Sequence, residues 1–159
     1  MANYMTRASF ERIYEELKQI QEKDIPQISK AKLQAAQEGD LSENAEYIGC
    51  KEKLDQLHAR YANLQKRIAG VSYIDDLKIP CSVVSVGTKV ELEEVEKKEK
   101  ITYTLLGSED VDLEKRIISI SSPIAKSMIG KRVGDEIGMR TEEIEKKYRI
   151  LSIRHFREN

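Results

Sequence analysis

No tryptophan occurs among the 159 residues, and only two cysteines do, Cys50 and Cys81. The cysteines lie too far apart to form a metal-ligand motif, and His58 and His155 make no cluster with them, so a resident zinc site is not expected and both thiols are read as reduced. Long apolar runs are missing as well: none approaches the roughly 20 residues of a membrane span. The opening stretch MANYMTRASFERIYEE has no apolar segment of the kind a secretory leader needs, which gives a cytoplasmic expectation. Nor is there an excess of positive charge, with 27 Lys and Arg against 28 Asp and Glu. A protein that grips nucleic acid mainly through phosphates is basic, so any such contact here must be local or supplied by a partner. With 40% apolar and 35% charged residues, the chain can build one ordinary domain or two small ones with modest cores, and a large pocket-bearing enzyme is not expected.

Two periodicities divide what is present. Phe10, Ile13, Leu17 and Ile20 step by three, four and three, a helical stripe of coiled-coil type. Pro26 interrupts it, but Asp24 can cap a restart, and Ile28, Ala31 and Ala35 resume the spacing, which predicts a kinked or re-capped helix. Cys50, Leu54, Leu57, Tyr61, Leu64, Ile68 and Val71 then alternate steps of four and three without a slip. Gly39 can end the first helix in the left-handed conformation and Asp40 can cap the next, so the two are predicted to run antiparallel. A helix of about 28 residues is about 42 Å long, and a hairpin of that length buries one seam and leaves its far end in solvent. Ala31, Ala35, Ala36, Ala45 and Gly49 near that end allow a close approach and hence a slender finger.

After Asp75-Asp76 and Ile79-Pro80 the period becomes two. Val83 to Val86, Thr88 to Val95 and Ile101 to Leu106 read as strands, with 96–100 as a hairpin turn. Arg116 to Ile120 reads as another strand. Ser122-Pro123 fits an N-cap followed by proline in the first helical turn, opening a short helix Ile124 to Ile129 that Gly130 closes. Further strands are expected near Glu136 to Arg140 and Lys147 to Phe156. The fold class is therefore α+β: an antiparallel helical coiled-coil hairpin over 1–77, then a small antiparallel sheet domain with one short helix over 78–159. No internal repeat or low-complexity tract is present.

The segment Gly39-Asp40-Leu41-Ser42-Glu43-Asn44-Ala45-Glu46-Tyr47 holds the candidate chemistry. As structure alone, Asp40 at an N-cap with Glu43 three residues later is a capping-box arrangement, with both acids satisfying free backbone N–H groups. As chemistry, two carboxylates three residues apart at a helix start lie close together and can converge on one divalent cation. Both readings can hold together, because a capping carboxylate keeps spare lone pairs.

This segment resembles the signature loop of the Gre family of bacterial transcript-cleavage factors. The resemblance continues through Ile118-Ser119-Ile120-Ser121-Ser122-Pro123-Ile124-Ala125-Lys126, Ile129-Gly130-Lys131 and Val133-Gly134-Asp135, and so spans nearly the whole chain. Leu41 with Glu46 is more similar to the GreA branch than to the GreB branch, which implies short cleavage products. In this family the resemblance implies an elongation factor, not itself an enzyme, that inserts its hairpin into the secondary channel of RNA polymerase when the nascent RNA 3′ end has backtracked. Asp40 and Glu43 would be the catalytic and metal-holding acids, sharing a second Mg2+ with the polymerase, with no metal tightly bound to the isolated protein. In-line hydrolysis of the phosphodiester then leaves a new 3′ hydroxyl in register. A monomer, with no membrane partner, is expected. The resemblance also implies an FKBP-like fold for the second half and places the Ser121, Ser122 and Pro123 corner against the polymerase at the mouth of the channel.

Other residues carry two readings. Ser42 and Asn44 are secondary tip candidates for hydrogen bonds to water or RNA, or are exposed residues of a first helical turn. Tyr47 can stack on a displaced base but more often would pack on the facing helix. Lys30, Lys32, Lys51 and Lys53 can attract RNA or simply solvate a helix face. The family pattern has an arginine just before the Gly-Asp pair, where this chain has Ala35-Ala36-Gln37-Glu38. Three alternatives remain: a Gre-like module that occupies the channel and inhibits without cleavage, against which both acids argue; a prolyl isomerase, for which Tyr103, Tyr148 and Phe156 are meagre pocket material; and a coiled-coil chaperone, which leaves the sheet domain unexplained.

Overall fold

The computed structural model describes residues 2–41, 43–141 and 144–158. It consists of two compact units, Phe10–Gly70 and Met1–Ser9 with Val71–Asn159. This division differs from a cut at 77/78 because strand β1 (Asn3–Met5) pairs in parallel with β2 (Val71–Tyr73), drawing both ends of the helical segment into the sheet unit. A parallel pair needs a long crossover, and here the entire helical segment supplies it.

The helical unit contains most of α1 (Arg7–Gln19), a π-turn (Ile20–Asp24), α2 (Ile25–Ala36) and α3 (Ala45–Ile68). Ile13, Leu17, Ile20, Ala35, Leu54 and Leu64 of the stripes are buried, whereas Val71 is not part of the helical stripe, because α3 ends at Ile68 and Val71 opens β2. Pro26 neither breaks nor re-caps the helix. The π-turn absorbs it: the Ile25 N–H donates to the Ile20 carbonyl oxygen, and Pro26 falls in the first turn of α2, where its missing N–H costs nothing. Asp24 makes no cap bond and instead accepts from Gln19 Nε2 at 3.3 Å.

In the sheet unit, β3 (Thr88–Glu94), β4 (Lys100–Leu106), β5 (Ile117–Ser119), β6 (Glu136–Thr141) and β7 (Ile144–His155) are ordered β5-β4-β3-β7-β6. All pairings are antiparallel except β4 with β5, which run parallel, so the sheet is mixed rather than purely antiparallel. In β3, Thr88, Val90, Leu92 and Glu94 are buried in strict alternation. Val90, Leu92, Leu105, Ile137 and Ile150 pack with Ala125 and Met128 of α4 (Pro123–Met128) to form the core. Val83 to Val86 form no strand: Val84 is buried, but its N–H donates to the Lys131 carbonyl oxygen at 2.8 Å and its own carbonyl accepts from Gly130 at 2.9 Å, binding the exit of α4 instead of a ladder.

Charged and polar side chains fasten β1 and the start of α1 within this unit. Asp110 accepts from the Thr6 N–H at 3.1 Å, Thr6 Oγ1 at 2.6 Å, the Gly107 N–H at 3.3 Å and Ser9 Oγ. Gly107 is required by space, since a Cβ there would lie 1.9 Å from the Tyr4 carbonyl oxygen. Asp75 accepts from the Arg7 N–H at 2.7 Å and from Arg157 Nη2.

Candidate functional site

The tip connects α2 to α3 through residues 37–44. Helix α2 ends at Ala36, with Gln37 as its C-cap, and Gly39 lies farther out with φ +153°. Gly39 is therefore not the left-handed residue that closes the helix, although its backbone angle is one that side chains rarely adopt. The start of α3 also differs from expectation. Asn44, not Asp40, is the N-cap: its Oδ1 accepts from the Tyr47 N–H at 3.1 Å, and its Nδ2 donates across the tip to the Ala35 carbonyl oxygen at 2.6 Å. Asn is as good a cap as Asp, and the cross-tip bond favours it.

The capping-box account of the acids is thereby replaced. Asp40 and Glu43 belong to the loop, both exposed, with the Glu43 N–H turning back to the Asp40 carbonyl oxygen at 3.4 Å. The loop thus presents two carboxylates on one short turn. Ser42 lies outside the described residues. Asn44 uses its side-chain oxygen and nitrogen on the two arms of the hairpin, which gives it a structural task.

The lysines separate. Lys32 Nζ stands 5.6 Å from the centroid of the Tyr47 ring, in the range of a cation–π contact. Lys51 is exposed one turn beyond Tyr47 on α3. Lys53 instead lines clefts with Ile28, on α2. Lys30 is exposed on α2. Lys32 thus meets the Tyr47 ring, Lys51 follows Tyr47 on the same helix, and Lys53 lies beside Ile28.

At the other candidate corner, Ser122 is the N-cap of α4, its Oγ accepting from the Ala125 N–H at 3.2 Å. Pro123 follows in the first turn and is exposed, as is Ser121, whose Oγ lies 2.7 Å from that of Ser119. Ser119 was not singled out by spacing. Its hydroxyl lies 3.3 Å from that of Ser108 as well, and that neighbour comes from a separate turn. Among the described residues no group of three or more His, Cys, Asp and Glu is placed to hold a metal ion, and no helix is long and apolar enough to cross a membrane.

Comparison with known proteins covers both halves. A family model described as "Transcription elongation factor, N-terminal" matches residues 3–72, and one described as "Transcription elongation factor, GreA/GreB, C-term" matches residues 79–155. Transcription elongation factor GreA of Sinorhizobium medicae (strain WSM419) is 38% identical over 149 residues, which cover 94% of each chain. Its counterpart from Anaeromyxobacter sp. (strain K) is 37% identical, covering 94% of this chain and 90% of its own. A solved GreA/GreB factor from Nitrosomonas europaea aligns over 98% of this chain and 99% of its own, with 21% identity and a TM-score of 0.45.

Proposed function

The chain belongs to the GreA/GreB family of transcription elongation factors, and from that premise we propose that it enters the secondary channel of bacterial RNA polymerase and stimulates cleavage of the backtracked RNA 3′ end. The observation that supports this reading most is the exposed turn of Asp40 and Glu43 at the hairpin tip, with the capping of α3 carried by Asn44.

On this reading the protein is a helper of the polymerase's own hydrolytic centre and not an enzyme by itself. Asp40 and Glu43 offer hard carboxylate oxygens, the donor type that Mg2+ takes, and as a pair they suit an ion whose remaining positions are filled by water, phosphate and polymerase acids. When bound, Mg2+ neutralises charge at the reacting phosphodiester and lowers the pKa of a coordinated water. Asp40 and Glu43 would hold such an ion jointly with the polymerase, and their remaining carboxylate lone pairs can accept from the attacking water and orient it. Asn44 keeps the turn fixed relative to both helices, so the carboxylates arrive in one geometry, which is where positioning catalysis gains most. Lys32 and Lys51 draw the RNA phosphates toward the tip. Small residues Ala31, Ala35, Ala45 and Gly49 keep the hairpin narrow, and exposed Ser121 and Pro123 provide the docking corner at the channel mouth. The protein acts as a monomer in the cytoplasm, one hairpin to a channel.

A purified, backtracked elongation complex supplied with Mg2+ tests this function. Added protein is expected to speed release of the 3′ fragment and restart elongation. Tight binding with slowed synthesis and no added cleavage would make it a channel-occluding factor instead.

A further inference from the structure

Three hydroxyls from two separate stretches of chain meet on the sheet unit. Ser119 Oγ in β5 lies 3.3 Å from Ser108 Oγ and 2.7 Å from Ser121 Oγ, and it accepts the Ser121 N–H at 3.1 Å. Ser108 opens the turn Ser108–Asp110, and Asp110 at the far end of that turn is held by Thr6, Ser9 and the Gly107 N–H. One end of the hydroxyl chain is therefore tied to a bonded frame. The other end is Ser121, exposed beside the Ser122 cap and Pro123, while Ser119 between them is half-buried.

The start of α4 does not need the Ser119 side chain. Ser122 Oγ takes the Ala125 N–H, and the Ser122 N–H already turns back to the Ser119 carbonyl oxygen at 2.9 Å. What the Ser119 hydroxyl adds is control of Ser121, of its backbone and its hydroxyl together. A hydroxyl has one proton and two lone pairs. With one lone pair of Ser119 taken by the Ser121 N–H, the other lone pair and the proton serve Ser108 and Ser121, one each. If Ser108 donates to Ser119 and Ser119 to Ser121, the Ser121 proton is left for a partner; if the chain runs the other way, the Ser121 lone pairs are left. Resting on the reading above, in which this corner docks on the polymerase, we propose that Ser119 is a positioning residue for that docking, with Ser108 as its support. Ser119 acts through Ser121, which is ordered before the polymerase arrives, so less freedom is lost on binding. Because the hydroxyl chain can reverse, Ser121 serves a donor or an acceptor of the polymerase without moving.

The test titrates binding to backtracked elongation complexes and stimulated cleavage side by side. It uses the intact protein, Ser119→Ala, Ser119→Thr, Ser108→Ala, Ser121→Ala and the double variant of Ser119→Ala with Ser121→Ala. Ser119→Ala is expected to raise the half-saturating concentration roughly five- to tenfold, about the worth of one neutral hydrogen bond, with the same cleavage rate at saturation. Ser119→Thr keeps the hydroxyl and suits a strand, so it should bind as the intact protein does. Ser108→Ala lies outside β5 and leaves the bond from the Ser121 N–H in place; a rise of about two- to threefold is expected, which keeps the test readable if Ser119→Ala loosens the strand. The double variant decides the role: if Ser119 acts through Ser121, the combined rise falls well short of the product of the two single rises. A combined rise equal to that product, or a half-saturating concentration unchanged by Ser119→Ala, overturns the proposal and leaves the cleavage reading standing. Binding of the intact protein without stimulated cleavage refutes the cleavage reading, and the binding titration then still decides the role of Ser119. No binding by the intact protein refutes the docking reading and the proposal with it.

Discussion

Asn44 and Ala35 join the two arms of the hairpin, the Asn44 side-chain amide donating to the Ala35 carbonyl oxygen at 2.6 Å while Asn44 Oδ1 caps α3 through the Tyr47 N–H. Only one orientation of the amide makes both bonds. Asn44→Ala is expected to cost about 1–2 kcal/mol for the lost cap and to leave the Ala35 carbonyl with only its backbone partners, among them the Glu38 N–H at 3.1 Å. Asn44→Asp keeps the acceptor and loses the donor, so it should fall between. Amide exchange at Tyr47 and Ile48 checks this: exchange should speed strongly in the alanine variant and less in the aspartate variant.

Asp110 concentrates four donors on one carboxylate, two of them from Thr6. Thr6 and Ser9 are buried, so removing the acceptor strands polar groups that water does not readily reach. Asp110→Ala is expected to destabilise the sheet unit by about 2–3 kcal/mol, read as a lowered urea midpoint with the denaturant slope unchanged. A midpoint equal to that of the intact protein would contradict this account of how α1 is anchored.

Asp75 gives the sheet unit an acid dependence. Burial pushes its carboxyl upward, but the Arg7 and Asp75 N–H groups and the Arg157 guanidinium outweigh that and leave it below the ordinary value of 3.8. A folded pKa lower than the unfolded one contributes stability that is fully present above the unfolded value and is lost as pH falls through the folded value. The contribution should therefore be flat from neutral pH to about pH 5 and decline below about pH 4. Asp75→Asn is expected to cost about 1 kcal/mol at neutral pH and to weaken the acid dependence of the urea midpoint. An unaltered acid profile in that variant would exclude Asp75 as its source.

Both helical stripes and most strands were legible because each rests on a local period: Ile13, Leu17, Leu54 and Leu64 are spaced for a facing helix, and Val90 and Leu92 for one side of a sheet. What escaped depends on distant partners. Asp40 reads as the cap in the sequence, and the cross-tip bond to Ala35 helps give that place to Asn44 instead. Pro26 marks an interruption, but the demand that Ile20 and Ala35 both face α3 turns it into a π-turn. Val84 looks like part of a strand and is diverted by Gly130 and Lys131. The pairing of β1 with β2 joins segments 68 residues apart, Asn3 opposite Val71, with no local signal at all. Of the candidate site, the acidic pair and the Ser122 cap were visible in the sequence. The meeting of Lys32 with Tyr47 and of Lys53 with Ile28 required the helix pairing.

The most direct test of the central claim uses Asp40→Asn and Glu43→Gln, which keep the shape of each side chain and remove its charge. Cleavage of the RNA 3′ end should be measured at saturating factor across a Mg2+ titration, with polymerase binding measured in parallel. The metal-sharing account predicts unchanged binding, a fall in stimulated rate of at least about a hundredfold for either variant, the size expected for losing a positioned catalytic group, and a higher Mg2+ requirement in whatever activity remains. Undiminished stimulation by both variants at the same Mg2+ requirement would contradict it.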